Sequence, residues 1–208
     1  MKIYLRDRNE HLVEEWRKVF KDKTEVEISH GNIFDEGTHL DAQAIVSPAN
    51  SFGFMDGGID AVYSNYFGWE IGTKLREDIQ DFFKGELLVG NCAVIRLLNN
   101  KYGNYYSIRN KNCFLISAPT MRVPLNVANT PNAYLAFKSS LLFSKEKLWD
   151  SLLCPGLCTA TGGMSPEVCA HQMYCAYIDY NNPRQFRSLR DAAIFNNFLI
   201  NPDLYNKS

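Results

Sequence analysis

A chain of 208 residues with 46% apolar and 22% charged side chains has the composition of a folded domain with a sizeable core, which argues against a disordered chain. Lysines and arginines number 22 against 23 acids, and the net charge of -1 excludes bulk attraction to nucleic acid or an anionic membrane while leaving open a local site for a small anion. No apolar run reaches the roughly 18 residues of a membrane span, and Met1-Lys2-Ile3-Tyr4-Leu5-Arg6-Asp7 meets charge too early for a secretory leader, so a cytoplasmic protein is expected.

Lys2 to Arg6 reads as a first strand. Leu12, Val13, Trp16, Val19 and Phe20 recur at helical spacing between Asn9 and Phe20 and predict an amphipathic helix. Val26 to Ser29 is a short strand and Ala44 to Ser47 a buried one. Ile71, Leu75, Ile79 and Phe82 mark a helix whose other face is charged. Cys92 to Leu98 and Cys113 to Ser117 read as strands flanking a Tyr/Asn-rich excursion, Asn99 to Asn112. Thr130-Pro131 opens a long helix, with Thr130 as N-cap and Pro131 at its first position. Ser151 to Cys154 is a further strand, and Ser165-Pro166-Glu167 repeats the cap, proline and acid opening for a helix towards Tyr177. Strands alternating with helices predict an α/β layered fold in one domain over 1–208, with a core over about 1–182 and an accessory helix within about 186–200 (Leu189 to Phe198).

The six cysteines need no disulfide role in a cytosolic chain. Cys92 and Cys113 sit in strand patterns. Cys154, Cys158, Cys169 and Cys175 crowd one region with His171, but only the first two have a tolerable ligand spacing, so buried thiols are expected and no metal.

Three segments carry chemistry. Ala44 to Asp60 runs from an apolar strand through a polar loop with Asn50, a diglycine at Gly57-Gly58, and an acid at a helix start. Such a layout presents backbone N–H groups to an anion beside an amide and a carboxylate. An ordinary strand–turn–helix, with Asp60 in the acid-favoured first turn, is the plainer alternative. Pro155 to Pro166 is a second glycine-bearing loop between a strand and a capped helix, about 100 residues downstream, and successive N–H groups there form an anion concavity. Gly31-Asn32-Ile33 follows the second strand, where Asn32 reads either as a polar ligand contact or as a turn residue. Ligands of α/β sheets collect beyond the carboxyl ends of strands, where all three segments lie. No Gly-x-Gly-x-x-Gly opens the first helix, which argues against a dinucleotide dehydrogenase.

Ser47-Pro48-Ala49-Asn50 followed by Gly57-Gly58-Ile59-Asp60-Ala61 resembles the signature of macro domains, the ADP-ribose-binding family. Pro155-Gly156-Leu157-Cys158-Thr159-Ala160-Thr161-Gly162-Gly163-Met164 resembles the second phosphate loop of a bacterial and viral branch, and Ser117 to Pro124 with Asn132 to Phe137 resembles the same branch. The resemblance implies a three-layer α/β/α fold around a central mixed sheet and no cofactor. It implies binding of ADP-ribose or an ADP-ribosylated substrate, and hydrolysis of the linkage at the distal ribose; the alternative is a non-catalytic module for ADP-ribose or another NAD-derived metabolite. Phosphatase action on a ribose phosphate also stays open.

By that resemblance Asp60 and Asn50 are catalytic, Asn50 holding the distal ribose. Asn32 and Ile33 meet the base, with Asn32 standing where the family has an acid that accepts from the adenine amino group. Gly57, Gly58, Ile59, Cys158, Thr159, Ala160, Thr161 and Gly162 surround the diphosphate. Departures are Ser64 where a His is common, the extra acid Asp56, and Cys158 and Ala160 in place of glycines. Met164 is expected to fill the space of a missing aromatic, and Tyr180 and Asn182 to edge the adenine slot. Arg122 reads either as an anion contact or as a loop brace.

Overall fold

The computed structural model describes residues 1–97 and 113–202. Its sheet contains β1 (Lys2–Asp7), β2 (Val26–His30), β3 (Ala44–Ser47), β4 (Ala93–Leu97), β5 (Cys113–Ser117) and β6 (Ser151–Cys154), in the order β2-β1-β6-β3-β5-β4. All neighbours are parallel except β4 and β5. Leu98 and the excursion Asn99 to Asn112 lie outside the described residues.

Alternation along the strands decides which helices cover which face. Ile3 and Leu5 of β1, Ala44 and Val46 of β3, Ile116 of β5, and Leu152 and Cys154 of β6 enter one core. That core also holds residues of α1 (Glu10–Val19), α4 (Asn132–Glu146), α5 (Pro166–Asn181) and α6 (Leu189–Ile200). Ile45, Leu115 and Leu153 point the other way and join α2 (Gly58–Phe67) and α3 (Glu70–Phe83). The result is the expected α/β/α layering around a mixed sheet. On α3 the buried stripe is Ile71, Leu75 and Ile79, with Phe83 packed against it, whereas Phe82 is 76% exposed. The expectation placed Phe82 on that stripe; steps of four residues continue it to Phe83 instead.

Local signals set the helix ends. Asn9 Oδ1 accepts from Leu12 N at 3.3 Å and opens α1, and Ser165 Oγ accepts from Val168 N at 3.3 Å with Pro166 in the first position of α5. The long helix α4 starts one residue later than expected, with Pro131 in the cap position, and Thr130 Oγ1 still accepts from Asn132 N at 3.4 Å.

Helix α6 is held by a buried glutamine. Gln172 Oε1 accepts from Tyr134 N at 3.1 Å, and Gln172 Nε2 donates to Thr130 O at 2.8 Å and to Leu199 O at 3.1 Å. Three main-chain groups from three segments therefore depend on one side chain. Gln172→Leu should destabilise the protein by about 2–4 kcal/mol, because buried main-chain groups lose their partners. Urea unfolding measures the loss, and hydrogen exchange should rise first in α6.

Candidate ligand site

Strands β1, β2, β3, β5 and β6 run the same way, so their carboxyl ends open along one edge, where a cavity of about 790 Å³ lies. Asn32, Ile33, Asn50, Gly57, Gly58, Ile59, Asp60, Cys158, Thr159, Ala160, Thr161 and Gly162 all line it. Residues from all three segments thus border one space.

Two sets of main-chain N–H groups, on residues that line this space, have no hydrogen-bond partner among the described residues. The first amides of α2, on Gly58, Ile59 and Asp60, lack a capping side chain, since the cap residue is Gly57. Those of Thr159, Ala160, Thr161 and Gly162 make no hydrogen bond among the described residues. The glycines serve different ends. Gly58 has φ +55°, a left-handed conformation, whereas a Cβ on Gly57 would meet nothing within 4 Å, so its absence only leaves room. A Cβ on Gly162 would lie 2.4 Å from Cys158 O. Cys158 itself holds φ +65°, its thiol buried and pushed up to about 12 by that burial, although a hydrogen bond with Thr120 pulls the other way.

Asp60 sits in the first turn of α2 and is 6% exposed. Ser47 Oγ donates to its Oδ1. Burial raises the carboxyl from its ordinary 3.8 to about 6; the Ser47 bond opposes the rise and the Asp56 charge adds to it. Desolvation, more than any neighbouring charge, makes this acid more basic than usual.

The two asparagines are committed to their own loops. Asn50 Oδ1 accepts from Phe52 N at 3.0 Å and Phe54 N at 3.3 Å, while its Nδ2 donates to Phe54 O at 2.7 Å. Asn32 Oδ1 accepts from Phe34 N at 3.2 Å, as a turn residue does. Asn50 Nδ2 and Asn32 Nδ2 each retain hydrogen for a further partner. Ser64, at the position of the common histidine, donates to Met55 O at 2.6 Å and ties α2 to the loop.

Other expectations are corrected. Met164 is buried in the core and does not line the cavity. Tyr180 lies under Lys145 Nζ, and neither it nor Asn182 reaches the cavity. Arg122 braces a loop: its guanidinium donates to Glu86 at 2.6 and 3.2 Å and covers the Phe52 ring.

Sequence reasoning missed Arg6, Asp7 and His39. Arg6 donates to Asn32 O at 2.7 Å and Ser29 Oγ at 2.9 Å, and a Cβ on Gly31 would fall 2.4 Å from its Nη2. Asp7 Oδ2 accepts from Gly156 N at 2.8 Å and joins the end of β1 to the loop after β6. Burial lowers the His39 imidazole below its ordinary range, with Arg6 acting the same way, and its Nε2 lies 3.1 Å from Ile33 O. The sequence signal for Arg6 and Asp7 was their position at the end of β1, whereas His39, in the connection between β2 and β3, carried none.

The raised carboxyl carries a stability cost with a defined sign. Native Asp60 keeps its proton to about pH 6 while the unfolded chain loses it near 3.8, so stability falls as pH rises between these values. Asp60→Asn should therefore be more stable than the parent by about 2–3 kcal/mol above pH 7 and equal to it below pH 3.5. Urea unfolding at both pH values checks this.

The sequence pattern of the macro-like domain family matches residues 7–195. An uncharacterized protein of Aquifex aeolicus (strain VF5) is 29% identical over 136 residues, covering 65% of this chain and 73% of that protein. Among solved structures, a substituted form of the Oceanobacillus iheyensis macrodomain with ADPR is similar at a TM-score of 0.58 and 18% identity, covering 85% of this chain and 91% of its own. The macrodomain of Mycobacterium tuberculosis DarG is similar at 0.53 and 19% identity, over 69% and 88%. With the pattern spanning nearly the whole chain and the same layered fold around the cavity, this chain belongs to the macro-like domain family.

Proposed function

We propose that the cavity binds ADP-ribose and that the protein hydrolyses ADP-ribosyl linkages at the distal ribose. The observation that carries the reading is the pairing of two unpartnered amide sets, on α2 and on residues 159–162, around one space with Asp60 at its wall. A diphosphate supplies the acceptors that such amides lack, and helix and loop dipoles offset its charge beside an acid. A similar macrodomain has been solved with ADPR, which fits the same ligand class.

In this reading the diphosphate lies between Gly57, Gly58 and Ile59 on one side and Cys158 to Gly162 on the other. Asn32 and Ile33 meet the base, and Asn50 offers its remaining Nδ2 hydrogen to the distal ribose. Asp60, with its carboxyl near 6, is largely ionised at pH 7 and basic enough to take a proton from water. The water oxygen then bonds to the anomeric carbon or to an ester carbonyl carbon, the bond from that carbon to the departing oxygen or nitrogen breaks, and the departing atom receives the proton that Asp60 took from the water. A positioned base of this kind contributes about 10²–10⁴ in rate.

One observation favours a second reading, a non-catalytic module for ADP-ribose or another NAD-derived metabolite. The Asn50 amide is already spent at both ends on Phe52 and Phe54, which leaves less of it to orient a sugar.

Calorimetric titration with ADP-ribose, ADP, AMP and NAD, run beside release assays on ADP-ribosylated substrates, separates these readings. Tighter binding of ADP-ribose than of ADP is expected, and equal affinity would reduce the site to a nucleotide cleft. Asp60→Ala should lower turnover by about 10²–10⁴ while ADP-ribose affinity stays within a few fold. Binding without release by the parent protein would select the module.

A further inference from the structure

The floor beneath Asp60 contains two buried serines with unlike surroundings. Ser47 and Ser117 end the neighbouring parallel strands β3 and β5 and pair in register. Both are fully buried. Ile45 and Leu115, two residues earlier on each strand, pack in the core shared with α2, so alternation aims both hydroxyls at that helix. Ser47 Oγ donates to Asp60 Oδ1, whereas Ser117 Oγ has no partner among the described residues.

The helix that carries Asp60 is fixed by other bonds. Tyr63 Oη donates to Val46 O at 2.9 Å, and Ser64 Oγ donates to Met55 O at 2.6 Å. Loss of the Ser47 hydroxyl therefore frees the carboxylate and leaves its helix in place.

We infer that Ser47 is a positioning residue for Asp60: its hydroxyl holds Oδ1, and so presents Oδ2 to the cavity in the ionised form. This rests on the hydrolytic reading above for its link to turnover, but the orientation itself is independent of it. The geometry leaves Oδ2 without a bond among the described residues, so it is the oxygen available to a water. A hydroxyl can also donate to the carboxylate where a methyl cannot, which keeps the charged form accessible in a site that burial disfavours. The charged group acting on Asp60 is Asp56 on the preceding loop, which opposes ionisation.

The test compares Ser47→Ala, Ser117→Ala and Ser47→Thr in the full chain, following the Asp60 carboxyl by carbon-detected NMR titration. Ser47→Ala should raise the midpoint by about one pH unit, Ser117→Ala should leave it unmoved, and Ser47→Thr should restore it. In release assays the acid limb of the pH–rate profile should move upward with the midpoint, with kcat down about 10- to 100-fold at neutral pH and KM within a few fold. A Ser47→Ala protein that titrates like the parent overturns the inference, as does an equal shift from Ser117→Ala. A parent protein without turnover whose Asp60 midpoint still moves in Ser47→Ala removes the hydrolytic reading and keeps the positioning.

Discussion

Five strands pointing the same way force five chain ends to leave the sheet along one edge, and the site depends on that constraint. Parallel pairing requires each return to cross a face through a helix or long connection, so the loops after β1, β2, β3, β5 and β6 converge while the helices stay behind them. Strand β3 lies between β6 and β5 and is buried on both sides, which makes its end the best-fixed point of the edge. From that point Ser47 reaches Asp60, and Asn50 shapes the loop that leads into α2.

The site is a negotiation between burial and charge. Main-chain amides left unbonded at the start of α2 and along 159–162 favour an anion, while Asp60 in the same wall disfavours one. Charged side chains also border the cavity: Arg6 and Arg8 of one sign, Asp7, Asp56 and Asp60 of the other. A near-neutral chain is compatible with such a site, since backbone dipoles and the two arginines act locally and net charge counts neither their placement nor the dipoles.

Elements with a strong local signal were legible in the sequence. The apolar runs Ala44 to Ser47 and Ser151 to Cys154, the Asn9 to Phe20 stripe and the Ser165-Pro166 opening state their own structure, since strand burial and helix capping are set within a few residues. The loops were legible through glycine and one acid. Side-chain bonding was not. Whether Asn32 and Asn50 face a ligand or their own turns depends on backbone N–H groups two to four residues away, which composition does not orient. Arg6 and Asp7 join segments 26 and 149 residues distant, contacts that no local pattern encodes. Met164, Tyr180 and Asn182 were misplaced because a helix start and a helix end were taken for cavity walls.

The left-handed backbone at Cys158 has a consequence for how this protein would meet a ligand. A side chain there costs conformational energy that glycine would avoid, yet the thiol anchors the turn in the main core, while Met164 N bonds back to Cys158 O at 3.0 Å and Val127 N to Gly162 O at 2.8 Å. The loop is thus nailed down from beneath. Its ordering entropy is surrendered once, during folding, and not again at each encounter. For this loop, a ligand would meet a surface already shaped before it arrives.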